Sequence, residues 1–458
     1  MLALVLAFAG RPDTAAAQTL EIALRQAYQN NPQLNAQRAI LRQTDEGVAQ
    51  ALSGYRPQIS ATASAGTQNT ELVNRTNPGR SPSIYSTISG THAPRSVGMS
   101  ASQTLFNGFQ TANQTRAAES QVFAARETLR LFEQQVLLDA ATAYMNLLRD
   151  TAILDLQKRN VEVLQEQLRQ TRARFDVGEV TRTDVAQSES RLAAGRSQQL
   201  TAEANLTTSR AAYRRVIGVD PGRLLAGTPV DRFSPKRLDL AVGRGQAENP
   251  SVTAAMYGVD VALLQVKISE GALYPTVSVI GSVQQSYETT LTALRSFNAS
   301  LIGQVTIPIY QGGGEYSTIR QSKELLGQKR LDLDTARDQA RATVVESWGQ
   351  LEAAKAQIQA TQAQVSAAEI ALNGVREEAR VGQRTTLDVL NAQQELVNAR
   401  VSLVTAQRDR VVASYALLFA TGRLTAQVLG LRVAPYDPRV HYHQVRDAWI
   451  GVRTPDGR

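Results

Sequence analysis

Side chains suited to bond-making chemistry are few in this sequence and badly placed for it. The 458-residue chain has three histidines, His92, His441 and His443, and no cysteine. His441 and His443 flank Tyr442, and two imidazoles without further ligands make an incomplete metal site, so a surface reading suffices for the pair. Lack of cysteine removes disulfides, thiolate metal sites, thiol nucleophiles and an acylated N-terminal cysteine. Gly312-Gly313-Gly314 lacks the Gly-Lys-Ser/Thr that would complete a phosphate loop, and neither a nucleophile elbow nor a zinc-protease motif occurs. The expectation is no catalytic residue, no cofactor and no metal. What stands out instead is one motif written twice, Val177-Gly178-Glu179-Val180-Thr181 and Val381-Gly382-Gln383-Arg384-Thr385, followed by Asp184-Val185 and Asp388-Val389. Its chemistry is that of helix ends. Gly178 and Gly382 suit a left-handed residue that closes one helix, Thr181 and Thr385 suit the cap of the next, and Asp184 and Asp388 favour that helix's positive end. Any tight helical hairpin would want the same residues.

The elements that carry these motifs are long. Residues 108–176 and 312–380 contain no proline and hold helix formers almost throughout, which predicts two helices of roughly 100 Å at about 1.5 Å per residue. Apolar residues recur every seventh position: Val122, Leu129, Val136 and Ala143, then Leu147, Leu154, Val161, Leu168 and Phe175, and on a returning helix Leu390, Val397, Val404, Val411 and Leu418. That period implies left-handed supercoiling against neighbours, as in an ordinary coiled coil. Shorter helices predicted at 32–55 and 182–217 together approach the length of one long helix and could run end to end beside it.

The whole plan is duplicated. Asn31-Pro32 and Pro57 recur 218 positions on at Asn249-Pro250 and Pro275, whereas Phe106-Asn107-Gly108, Val177-Gly178, Asp184-Val185 and Gly218 recur 204 positions on, at Tyr310-Gln311-Gly312, Val381-Gly382, Asp388-Val389 and Gly422. The change of offset falls between Pro57 and Phe106, so the first half carries a longer loop there, and Thr67 to Pro94 has the Asn, Ser, Gly and Pro content of one. Each half contains two runs of period-two alternation: Ile59, Ala61, Ala63 and Ala65; Val97, Met99 and Ala101; Val277, Val279 and Val283; Leu301, Val305, Ile307 and Ile309. About 9 to 11 residues with one greasy and one wet face would cross a bilayer as a tilted strand, although a half-buried soluble sheet alternates in the same way. Tyr55, Phe106, Tyr274 and Tyr310 stand at one end of these runs and Tyr287 and Phe297 at the other, as an interfacial girdle requires. No later segment reads as an apolar membrane helix, so a crossing would use strands, and four strands cannot close a barrel alone.

Composition agrees with a folded, helix-rich chain: 43% hydrophobic, 20% charged and only 5% aromatic. The net charge of +8 is spread among Glu and Gln along helices with no aromatic platform, which argues against a nucleic-acid partner. Leu2 to Ala9 followed by Ala15-Ala16-Ala17 reads as a secretory signal peptide over 1–17, although no basic residue precedes the apolar run.

From Thr19 to about Leu431 the sequence resembles the TolC-like outer-membrane factor family. The two tip motifs, the Asn-Pro starts at Asn31 and Asn249, and the junction Leu105-Phe106-Asn107-Gly108 carry the resemblance. It implies an α+β membrane protein with an internal tandem duplication. Four strands per protomer enter a shared twelve-stranded trimeric outer-membrane β-barrel, and the helices form a long periplasmic coiled-coil barrel. The implied partition is a signal peptide, 1–17; first short helices, 18–56; first barrel hairpin, 57–107, with an extracellular loop at about 67–96; first helical hairpin, 108–218, with its tip at about 177–185; an equatorial linker, 219–248; a helix, 249–274; second barrel hairpin, 275–311; second helical hairpin, 312–422, with its tip at about 381–389; and an equatorial tail, 423–458, whose residues from Val433 onward lie outside the repeat.

The implied function is a passive exit duct in the cell outer membrane for type I protein secretion, small-molecule efflux or both. Its partners would be two further copies of itself, a periplasmic adaptor, an inner-membrane transporter of ABC type, and outer-membrane lipid. By motif match Val177, Gly178, Thr181, Val381, Gly382 and Thr385 would meet the adaptor. Asp184, Arg384, Asp388 and Asn391 would form the periplasmic gate, with Asp184 and Arg384 in its polar linkages and Asp388 in an acidic ring of three. A second aspartate common in that pattern is Asn391 here, and a tyrosine sometimes found before the tip glycine is Ala379, so the ring should be less charged and the latch different. The missing N-terminal cysteine points to the unlipidated branch. The competing reading is a periplasmic coiled-coil adaptor without a barrel, which would normally show one helical hairpin flanked by small soluble β domains.

Overall fold

The computed structural model describes residues 18–457; the signal segment expected over 1–17 lies outside them. The first half runs α1 (Leu20–Asn30), α2 (Pro32–Leu52), a short turn of helix at Ser53–Tyr55, β1 (Gln58–Ala65), β2 (Gln68–Arg75), β3 (Tyr85–His92), β4 (Arg95–Asn107), α3 (Gln110–Asp176) and α4 (Arg182–Ile217). The second runs α5 (Leu238–Glu248), α6 (Pro250–Gly271), β5 (Thr276–Thr290), β6 (Ala293–Thr306), α7 (Gly314–Arg380) and α8 (Thr386–Ala420), and α9 (Pro438–Val445) follows.

The chain divides into two compact units. One, helical, holds the described residues up to Leu41, Ala125–Ala255 and Leu333–Asp437. Its core gathers Leu24, Leu34, Leu137, Tyr144, Tyr213, Leu418 and Leu424, all nearly inaccessible to water. The heptad stripe of α3 is buried from Leu129 to Leu168, and Phe175 emerges at the exposed end. The two Asn-Pro motifs do the same work in both halves. Asn31 Oδ1 accepts from the Gln33 and Leu34 amides while its Nδ2 donates to the Val216 carbonyl at 2.9 Å. Asn249 Oδ1 accepts from the Ser251 amide, and its Nδ2 donates to the Ala420 carbonyl at 3.1 Å. Each asparagine thus starts one helix and satisfies an orphan carbonyl at the end of another, with the following proline at the position where its missing N–H costs nothing.

The other unit, Arg42–Ala124, Met256–Asp332 and the tail from Pro438, holds the sheets. Strands β1, β4, β5 and β6 form one antiparallel sheet in that order. Its register sorts side chains by face. Rows Ile59, Ala101, Gly281, Leu301 and Ala61, Met99, Val283, Ala299 lie on an apolar face. Rows Ser60, Ser100, Ser282, Ser300 and Ser64, Ser96, Ser286, Ser296 lie on the other, with Ser60 and Ser100 hydroxyls at 2.9 Å and those of Ser282 and Ser300 at 2.8 Å. Tyr287 sits opposite Arg95 and Arg295 at one end and Phe106 opposite Val277 at the other, so the apolar span between them on β5 matches the roughly ten residues needed to cross a bilayer.

Several expectations need correction. β4, β5 and β6 have 13, 15 and 14 residues, longer than the bilayer alone requires, because β5 and β6 continue past the apolar span to a tight connection before Ala293. β6 ends at Thr306, so Ile307 and Ile309 follow the strand instead of extending it. The segment expected as a loop at about 67–96 contains β2 and β3, a two-stranded sheet pairing Leu72 with Ile88, because Leu72, Val73, Tyr85 and Ile88 supply strand formers within the polar composition. Its turn is confined to Thr76–Ile84, where Asn77 Oδ1 accepts from the Ile84 amide at 2.6 Å. The stretch Leu238–Gly271, rich in Ala, Val and Leu, is by length and composition apolar enough to cross a membrane, against the expectation that no later segment reads as an apolar membrane helix. Asn249 breaks it between α5 and α6, and α6 packs Ala262 and Val266 on Leu326 of α7. His441 is not a surface residue either. On α9 it is 8% exposed, with Nδ1 at 3.0 Å from the buried Asp45 Oδ2.

Candidate functional site: the helical hairpin tips

Both tips are built in the same way. The Gly178 amide donates to the Phe175 carbonyl and the Glu179 amide to Arg174, while Gly382 donates to Ala379 and Gln383 to Glu378. This paired pattern ends a helix through a left-handed residue, and both glycines have φ of 80°. No atom lies within 4 Å of where a Cβ would stand on either, so the demand for glycine is conformational and not steric. Across the turn Thr181 Oγ1 accepts from the Asp184 amide at 3.3 Å, and Asp184 Oδ2 accepts from the Thr181 amide at 2.9 Å and hydroxyl at 2.7 Å. Thr385 and Asp388 repeat the arrangement at 3.2, 3.0 and 2.8 Å. These reciprocal bonds form a capping box, which satisfies two orphan donors and leaves a carboxylate at the helix's positive end. Hydrogen bonds from Thr181 hold the Asp184 carboxyl below its usual range; those from Thr385, helped by the Arg384 charge, do the same for Asp388. Both carboxylates are therefore ionised at any physiological pH.

Charge is arranged differently at the two tips. Arg174 on α3 pairs with Glu179 beyond the turn at 3.0 Å, whereas Glu378 on α7 pairs with Arg384 beyond the turn at 2.8 Å. Within one chain Arg384 meets Glu378, and Asp184 Oδ2 accepts from Thr181. The tight turn returns Arg384 over the last carboxylate of α7. Val177 and Val381 project into solvent, each 71% exposed. Behind the tips Leu164 and Leu168 of α3, Leu192 of α4 and Leu390 of α8 make a small apolar cluster. Arg172 reaches Glu189 at 2.6 Å, and Arg376 donates to the Gln393 side chain at 3.0 Å.

The tip hairpins are also joined by a bond that sequence reasoning missed. Arg191 of α4 donates from Nη2 to Asn391 Oδ1 of α8 at 2.6 Å. The available signal was spacing: Arg191 lies two turns beyond Asp184 and Asn391 one turn beyond Asp388. Among the described residues no group of three or more His, Asp or Glu side chains is arranged to hold a metal ion.

The model of the outer membrane efflux protein family matches residues 23–219 and 242–423, one block for each half of the duplication. The chain belongs to that family. It is 45% identical over 445 residues to the outer membrane efflux protein BepC of Brucella suis biovar 1, covering 97% of this chain and 94% of that protein. With the outer membrane protein TolC of Vibrio cholerae it shares 27% identity over 443 residues, or 91% and 95% of the two chains. Among solved structures, the Campylobacter jejuni CmeC outer membrane channel superposes with a TM-score of 0.78 at 16% identity, covering 93% of this chain and 89% of that one. This outer membrane efflux protein is accordingly a TolC-like channel and not an enzyme, located in the cell outer membrane with a periplasmic helical tunnel. The adaptor alternative is not favoured, since the family match takes in both strand pairs and both helical hairpins.

Proposed function

We propose that three copies of this chain close a twelve-stranded barrel and form the passive exit duct of a tripartite export system, gated at the hairpin tips. One observation carries the reading: the four-stranded sheet has an apolar and a wet face of bilayer length, yet among the described residues β1 and β6 are each paired on one side only. An unpaired edge in hydrocarbon costs several kcal/mol per backbone group, so the sheet must be completed by other copies, β6 of one against β1 of the next. In the helical part, α3 and α7 of 67 residues each would line a tunnel across the periplasm. The tips carry the outward valines Val177 and Val381 beside Gly178, Thr181, Gly382 and Thr385, a surface fit for an adaptor. Asp388 of three copies, with Asp184, Arg384 and Asn391 around it, would form the periplasmic aperture, opened when the adaptor and an inner-membrane transporter of ABC type dock. The sequence holds no phosphate loop, so the energy comes from that transporter. Cargo would be polypeptides, small molecules or both.

The test is oligomer mass in detergent together with single-channel conductance in planar bilayers. A heat-modifiable trimer with small, cation-sensitive conductance is expected. A water-soluble monomer without channel activity would refute the duct.

A further inference from the structure

Among the described residues no carboxylate forms an ion pair with Arg191, while Arg172, Arg174 and Arg384 nearby are paired with Glu189, Glu179 and Glu378. Its partner at 2.6 Å, the Asn391 amide oxygen, accepts a hydrogen bond but brings no negative charge. Asn391 stands three residues beyond Asp388 on α8, hence on the same face one turn away. The bond therefore delivers an uncompensated guanidinium to the face that carries Asp388. Asp388 itself is held ionised by Thr385. On the sheet, by contrast, the wet-face rows from Gln58 to Ser64 and their partners on β4, β5 and β6 hold no ionisable side chain, so they do not set a charge preference.

We propose that Arg191 tunes the charge selectivity of the duct: three copies place a positive ring, seated on Asn391, one turn beyond the negative ring of Asp388, so the constriction concentrates cations less than the Asp388 ring alone would. The proposal rests on the reading that puts Asp388 at the aperture. An aspartate in place of Asn391 would neutralise each guanidinium and restore a net acidic constriction.

The test uses the full-length protein in planar bilayers, reading the reversal potential in a KCl gradient and block by lanthanum(III) chloride. Three unit charges at roughly 10 Å, screened over a Debye length of about 10 Å, change the affinity of a trivalent cation by about tenfold. Arg191→Gln should shift selectivity toward K⁺ and tighten lanthanum block by about that factor; Asn391→Asp should move both in the same direction, and Arg191→Lys should stay near the parent. Asp388→Asn reports on the underlying reading and should weaken block. If Asp388→Asn weakens block while Arg191→Gln and Asn391→Asp change nothing, Arg191 has no selective role and the aperture stands. If Asp388→Asn also changes nothing, the aperture reading falls and the proposal with it. A rise in conductance for both Arg191→Gln and Arg191→Lys without altered selectivity would make Arg191 a brace only, which overturns the proposal.

Discussion

Adjacent residues on β4 should respond in opposite ways to the same substitution. Met99 pairs with Ala61 and Val283, and Val283 with Ala299, so it sits in a middle row of the apolar face. It is 59% exposed in the single chain, the exposure of a side chain that meets lipid. Ser100, one residue on, points to the opposite face within the row Ser60, Ser100, Ser282 and Ser300. An arginine on the lipid face near the midplane of a barrel costs about 2–4 kcal/mol, hence roughly 6–12 kcal/mol for three copies in one trimer. Met99→Arg should therefore sharply reduce the yield of heat-modifiable trimer on refolding into lipid vesicles. Ser100→Arg, with its guanidinium in lumen water, should assemble at parental yield and alter conductance. Tolerance of Met99→Arg together with loss of the trimer in Ser100→Arg would mean the faces are reversed; tolerance of both would mean that the sheet does not contact lipid.

Three further outcomes follow from the geometry. Valine at Gly178 or Gly382 must adopt φ of 80°, at a cost of about 1–2 kcal/mol or more for a β-branched residue, so each variant should assemble as a trimer yet export less; unimpaired export by both would detach the tips from docking. Tyr144→Phe removes a buried hydroxyl that accepts from the Leu225 amide at 3.0 Å and is within donor reach of the Gln18 and Leu225 carbonyls, which should destabilise the helical unit by about 1–3 kcal/mol and show as a lower melting temperature. Asp184 and Asp388 have carboxyl pKa values depressed by their capping threonines, so their contribution to the closed tips is complete above the unfolded-state value near 3.9 and is lost as pH falls through the lower folded value. Lanthanum block of the parent should accordingly persist at pH 5 and fade only below pH 4, and a midpoint near 6 would contradict the capping-box assignment.

Much of this was legible because it is written in local or periodic signals. Duplication exposes itself through constant offsets, strand faces through alternation, and both capping boxes through Thr-x-x-Asp after a glycine. The missed features are those in which one element's composition is overruled by its neighbour. β2 and β3 hide in a polar segment because the large apolar residues are few: Leu72 meets Ile88 across the hairpin, whereas Val73 faces Thr87 and Tyr85 faces Arg75. His441 looks like a solvated side chain until α9 folds against α2, where Asp45 takes it up. The pairing of Arg384 with Glu378, at the end of α7 before the turn, was not read from the motif, because it depends on how tightly the turn closes. Arg191 lies 200 positions from Asn391, and their places two turns and one turn beyond the capping aspartates put both near the tips without showing that they bond.

The duplication did more than double the chain. Position 174 is arginine and its repeat equivalent, 378, is glutamate, yet each makes an ion pair across the following turn, with Glu179 in the first half and Arg384 in the second. Reversing the sense of the pair keeps both tips braced in the same backbone conformation while exchanging which side of the turn carries which sign. Glycine, threonine and aspartate have stayed in place because the turn's geometry demands them. The flanking charges are exposed and contribute little to stability, and so were free to diverge. In the proposed trimer a docking partner would meet six tips of one shape but two alternating charge patterns. That is enough to set its rotational register about the duct without any change in the fold that presents them.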